Sequence, residues 1–126
     1  MRDGTIVFAA QYQDPPEKKR LPHSTIIYSK DHGKTWKVGT SAFDDTTESQ
    51  VVEIEPGVLM LNCRYNRKAV RVVVTTHDMG KTWQKHSTSE KSLIEPGSCM
   101  ASLIDVDREV GKGIGNWLLF SNPDST

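Results

Sequence analysis

A chain of 126 residues has the length of one ordinary domain, enough to bury roughly two thirds of its unfolded surface around a single core. Its 16 basic and 16 acidic side chains cancel and are scattered, with Glu17-Lys18-Lys19-Arg20 as the only dense run, a pattern of solvated loops that excludes a nucleic-acid-binding stripe and a polybasic membrane segment. No apolar stretch approaches the roughly 20 residues of a membrane helix, and Met1-Arg2-Asp3-Gly4 lacks the regions of a signal peptide, so the chain is expected to be soluble.

Helical periodicity is absent, while short runs rich in Val, Ile and Tyr recur between clusters of Gly, Pro, Asp and Ser; this predicts an all-β chain. In chain order the predicted strands run from Thr5 to Tyr12, Ser24 to Ser29, Thr35 to Val38, Glu48 to Ile54, Val58 to Tyr65, Ala69 to Thr76, Thr82 to His86, Ser98 to Val106 and Trp117 to Ser121. Two of the intervening turns share a signature, Ser29-Lys30-Asp31-His32-Gly33-Lys34-Thr35-Trp36 and Thr76-His77-Asp78-Met79-Gly80-Lys81-Thr82-Trp83. Their aspartates lie 47 residues apart, close to the span of one four-stranded propeller blade. The roles expected of Asp31, Gly33, Trp36, Asp78, Gly80 and Trp83 are structural. Asp accepts backbone N–H groups of its own turn, Gly takes a positive φ, and Trp carries a large ring into the sheet packing.

The strand count divides the chain into an incomplete blade over residues 1–45, a complete blade over 46–90 and an incomplete blade over 91–126. The outer sheets then have faces that call for further blades, and such faces favour self-association. Aligning Gly4, Gly57 and Gly115 as turn glycines places Gln11, Arg64 and Asn122 seven residues on, all at one end of the blades. Glu48, which opens the strand before Arg64, emerges at the same end because the start and finish of a hairpin lie together. The simplest reading of Glu48 and Arg64 from the residues alone is a strand-end salt bridge. Glu53 and Glu55 lie toward the opposite turn as surface positions, and Arg67 and Arg71 are alternative guanidinium donors near Arg64.

Cys63 and Cys99 show no C-x-x-C or Cys/His spacing and are read as free thiols; with His23, His32, His77 and His86 dispersed beside turns, no metal site and no cofactor are expected.

The two Asp-containing turns resemble the Asp boxes, or BNR repeats, of sialidases (exo-α-neuraminidases). A longer ordered series is similar to the middle of secreted bacterial sialidases: Phe8-Ala9-Ala10-Gln11-Tyr12, the first Asp box, Thr47-Glu48-Ser49-Gln50-Val51-Val52-Glu53, Leu61-Asn62-Cys63-Arg64 and Phe120-Ser121-Asn122-Pro123. The resemblance implies part of a six-bladed β-propeller that cleaves terminal sialic acids from glycoconjugates with retention, using a tyrosine nucleophile in place of the usual second carboxylate. It implies that Glu48 assists deprotonation of that tyrosine, that Arg64 is one of three arginines clamping the substrate carboxylate, and that Gln11 faces the glycerol arm of the sugar. It implies a sialylated glycan as partner and an extracellular or periplasmic location. The family's amino-terminal R-I-P arginine, acid aspartate, third arginine and nucleophile have no counterpart in this sequence. Tyr12, Tyr28 and Tyr65 do not occupy a matching context, so these residues alone are not expected to turn over substrate. The alternative is a non-catalytic Asp-box module that binds carbohydrate or protein.

Overall fold

The computed structural model describes residues 1–97, 99–110 and 113–123. Among the described residues ten strands form three antiparallel sheets. The first sheet contains β1 (Ile6–Gln13), β2 (Pro22–Ser29) and β3 (Lys37–Val38), with β4 (Phe43–Asp44) also paired to β2. The second is a meander of β5 (Thr46–Glu55), β6 (Val58–Tyr65), β7 (Arg71–Thr76) and β8 (Gln84–Lys85), and the third is the hairpin of β9 (Ser102–Val110) and β10 (Gly113–Ser121). A short 3-10 turn at Pro16–Lys18 is the only helical element among the described residues.

The middle sheet is covered on both faces, which explains why β6 reads as an almost unbroken apolar run instead of an alternating one. Leu59, Leu61 and Cys63, with Val72 and Val74 of β7, meet Ile26 and Tyr28 of the first sheet. The intervening Met60 and Val73, with Val52 of β5, meet Leu103 of the third sheet. Each fully buried Leu or Val contributes roughly 1.5–3 kcal/mol. Phe8, stacked at 5.7 Å on Trp36, and Leu119 are respectively 52% and 53% exposed, so the outer sheets carry apolar groups on faces that no described residue covers.

Several strands differ from their sequence boundaries. Thr35 and Thr82 are not strand residues: each is bonded to the aspartate of its turn, so β3 and β8 shrink to two residues. Strand β4 lacked a sequence signal because two residues in a polar stretch show no periodicity. Strand β9 begins at Ser102; the expected start, Ser98, lies outside the described residues, as do residues 124–126. Gly115 is not a turn glycine. It pairs with Arg108 inside β10, whose first residue Gly113 faces Val110, so the seven-residue count to Asn122 does not apply. The Asn122 amide instead donates to the Ile94 carbonyl at 2.9 Å.

Candidate functional site

The two Asp boxes are built alike. Asp31 Oδ1 accepts the Ser29 hydroxyl and the Thr35 N–H, both at 2.8 Å, while Oδ2 accepts the Thr35 hydroxyl at 2.6 Å. Asp78 takes the Thr76 hydroxyl, the Lys81 and Thr82 N–H groups and the Thr82 hydroxyl at 2.7–3.0 Å. The Ser29 and Thr76 hydroxyl oxygens in turn accept the N–H groups of Gly33 and Gly80, which adopt φ of 85° and 76°. These donors, led by Thr35 for Asp31 and Thr82 for Asp78, hold both carboxyls at a pKa of about 2. With every carboxylate oxygen engaged by its own turn, neither aspartate is disposed for proton transfer. The tryptophans diverge: Trp83 packs on the core between the first two sheets, whereas Trp36 stays on the exposed outer face.

The second box also locks two sheets together. Gly80 O accepts the N–H and hydroxyl of Thr40 at 2.8 and 3.0 Å, and the Trp83 indole N–H donates to Thr40 O at 3.3 Å.

At the other end of the sheets Gln11, Glu48 and Arg64 converge. Strands β5 and β6 pair in register at Thr47 with Arg64 and again at Gln50 with Asn62, so Glu48 and Ser49 together oppose Cys63 alone. This β-bulge re-aims the chain, and Glu48 adopts φ of 42°, a left-handed conformation that costs a non-glycine residue about 1–3 kcal/mol. Its amide N–H donates to Gln11 Oε1 at 3.1 Å across the gap between the first two sheets. Its carboxylate Oε2 accepts Arg64 Nη1 at 2.8 Å, in an ion pair with side chains 31% and 20% exposed. The Arg64 Nε is buried without an acceptor among the described residues. Asn122, aligned with Gln11 and Arg64 in the sequence, is not joined to this group by any bond among the described residues.

The neighbouring arginines are otherwise committed. Arg67 Nε donates to Asp45 Oδ2 at 2.7 Å; this bond is the first cause of the lowered Asp45 pKa and of the raised Arg67 pKa. Arg71 is fully buried and ion-paired to Glu95 at 3.1 Å. Glu53 accepts the N–H groups of Arg2 and Gly57 at the far turn. Cys63 is buried, and desolvation pushes its thiol up to about 12, so it offers no nucleophile. Sequence reasoning missed the role of Arg71 and of Asn62, whose Oδ1 accepts Arg71 Nε at 2.7 Å. The available signal was two polar residues, Asn62 and Arg71, inside otherwise apolar strands. No group of three or more His, Cys, Asp or Glu able to hold a metal occurs among the described residues. No helix there is long and apolar enough to cross a membrane.

Comparison with known proteins places this geometry in context. A family model described as a BNR repeat-like domain matches residues 1–123. The chain is 51% identical over 129 aligned positions to a sialidase of Bacteroides fragilis, spanning all of the chain and 22% of that protein. It is 36% identical to a sialidase of Clostridium perfringens, again over its whole length and 33% of the relative. Among solved structures, a Hadza microbial sialidase superposes with a TM-score of 0.89 at 54% identity, covering 100% of this chain and 24% of that one. A Trypanosoma rangeli sialidase in complex with sialic acid superposes at 0.75 with 29% identity, over 94% of this chain and 18% of the other. The three sheets are therefore those of a partial β-propeller, and the chain spans between about a fifth and a third of the length of these relatives.

Proposed function

The chain belongs to the BNR repeat-like domain family, and from that premise we propose that it supplies one part of the active site of an exo-α-sialidase. The observation that carries this reading is the meeting of Gln11, Glu48 and Arg64 at one end of the sheets, on a strained bulge that regular strand pairing does not require. In the proposed reaction a tyrosine from elsewhere in the propeller attacks the anomeric carbon as the bond to the aglycone oxygen breaks. The aglycone leaves with a proton from an acid aspartate, also from elsewhere in the propeller, and water then displaces the tyrosine to release sialic acid. The tyrosine phenol, with an ordinary pKa near 10, needs a base at neutral pH, and Glu48 is that base. Arg64 engages the substrate carboxylate: its planar, permanently charged fork suits a carboxylate, and only its Nη1 is committed among the described residues. Gln11 spends its carbonyl on Glu48, which leaves its amide N–H groups for the hydroxyls of the sugar arm. The proposed division is an incomplete blade over residues 1–45, a complete blade over 46–90 and an incomplete blade over 91–126. The site of action is outside the cytoplasm, where sialylated glycans are displayed. An isolated copy would associate through its uncovered outer faces.

Glu48→Gln and Arg64→Lys in the full-length protein, assayed on an aryl sialoside, test the reading. We expect Glu48→Gln to lower kcat about 100-fold or more with KM within about threefold, the size of a lost general base. Arg64→Lys should raise KM at least about tenfold, since lysine cannot reproduce the bidentate fork. Wild-type kinetics in both variants would refute the assignment. Sialoside binding without hydrolysis by the unsubstituted protein would transfer it to the binding-module alternative.

A further inference from the structure

Arg71 is the largest fully buried side chain among the described residues, and the proposed chemistry leaves it unused. It sits on the face of the middle sheet turned to the third, beside Val73 and Met60 and 6.0 Å from the Phe120 ring, where an apolar residue would pack without the cost of desolvating a cation. Its guanidinium is instead spent on four residues of three segments. Nε donates to Asn62 Oδ1 at 2.7 Å, Nη1 to both Glu95 oxygens at 3.1 and 3.3 Å and to Cys99 O at 3.4 Å, and Nη2 to Asn62 O and Glu48 O, each at 3.3 Å.

The Glu48 contact separates this network from ordinary packing. Glu48 holds a φ of 42° and its backbone is gripped from both sides: Gln11 of the first sheet takes its N–H, and Arg71 takes its carbonyl. The first bond opposes rotation about φ and the second about ψ, so together they set the direction of the Cα–Cβ bond and hence where the carboxylate stands relative to Arg64. A left-handed non-glycine residue persists only where its surroundings over-determine it. We infer that Arg71, neutralised by Glu95, is a positioning residue that locks the bulge at Glu48 and so aims the Glu48 carboxylate. Because Glu95 and Cys99 belong to the connection leading into β9, the lock ties all three sheets to one end of the site. Its kinetic consequence rests on the sialidase reading; its structural consequence does not.

The test uses the full-length protein with Arg71→Lys, and with the double variant Arg71→Met/Glu95→Leu, which replaces the buried pair by apolar groups of similar volume and keeps the fold testable if the single variant does not fold. Amide hydrogen exchange over residues 46–50 is expected to speed up about tenfold or more in either variant, while exchange in β6 stays slow. On an aryl sialoside kcat should fall about 10- to 100-fold with KM within about threefold. In a Glu48→Gln background Arg71→Lys should cost no more than about twofold further, because both changes act through one carboxylate. Unchanged exchange at residues 46–50 overturns the inference, as do losses from Glu48→Gln and Arg71→Lys that multiply, or a double variant with undiminished kcat. Were the unsubstituted protein inactive on sialosides, the functional reading would fall and exchange alone would decide the positioning role.

Discussion

The Asp-box turn at Gly80 gives a prediction whose size can be worked from geometry. A Cβ on Gly80 would lie 3.1 Å from Ile26 Cγ1, 3.2 Å from Trp83 Cζ2 and 3.3 Å from Gly39 Cα, and the residue has φ of 76°. Gly80→Ala therefore meets two penalties: about 1–2 kcal/mol for a left-handed alanine and about 1–3 kcal/mol for overpacking between the turn and the first sheet. Two further substitutions separate them. Gly57, φ 79°, has nothing within 4 Å of its virtual Cβ, so Gly57→Ala measures backbone strain alone. Gly39 has no positive φ, yet its Cβ would approach Gly80 O and Thr25 Oγ1 at 3.1 Å, so Gly39→Ala measures crowding alone. The expected order is Gly80→Ala worst, at about 2–5 kcal/mol, near the sum of the other two. At about 3–6 °C per kcal/mol for a domain of this size, thermal unfolding followed by tryptophan fluorescence resolves the three. A Gly80→Ala loss no greater than that of Gly57→Ala would show that the second Asp box does not lock the first two sheets.

Other outcomes follow from the same structure. The Asp31 and Asp78 carboxyls titrate at about 2 in the folded chain against an ordinary 3.8, so the unfolded state binds more protons between these values; their stabilisation is complete above about pH 4 and disappears as pH falls toward 2. Asp31→Asn and Asp78→Asn should flatten that acid limb in urea titrations, and an acid limb identical to that of the unsubstituted chain would refute the turn as its origin. Cys63 is fully buried with its thiol at about 12, whereas Cys99 is partly exposed, so a disulfide reagent at pH 8 should titrate Cys99 alone in the native protein and both after denaturation. Rapid native labelling of Cys63 would contradict the packing between the first two sheets.

The aspartate-to-backbone bonds of the Asp-box turns were legible in the sequence because they run over two to four residues, as from Asp31 to Thr35, whereas the hydroxyl contacts of Ser29 and Thr35 and the exposed position of Trp36 were not. The β-class was legible for a similar reason, since runs such as Arg71–Thr76 are too short and too β-branched for helices. Strand limits at Thr35 and Thr82 were misplaced because turn chemistry there outcompetes β-propensity. Gly115 misled because a glycine within a strand and a glycine in a turn look the same without a pairing partner.

By itself the sequence determined the local grammar: two turns of one signature, a succession of short strands, and a glutamate and an arginine at the open end of one hairpin. Tertiary structure decided what those two residues experience. The left-handed backbone of Glu48, its support by Gln11 37 residues away and by Arg71 23 residues away, and the pairing of Arg71 with Glu95 24 residues on exist only because three sheets stack. Burial of a guanidinium and strain at a bulge are properties of surroundings assembled from distant segments, and no spacing along the chain encodes them.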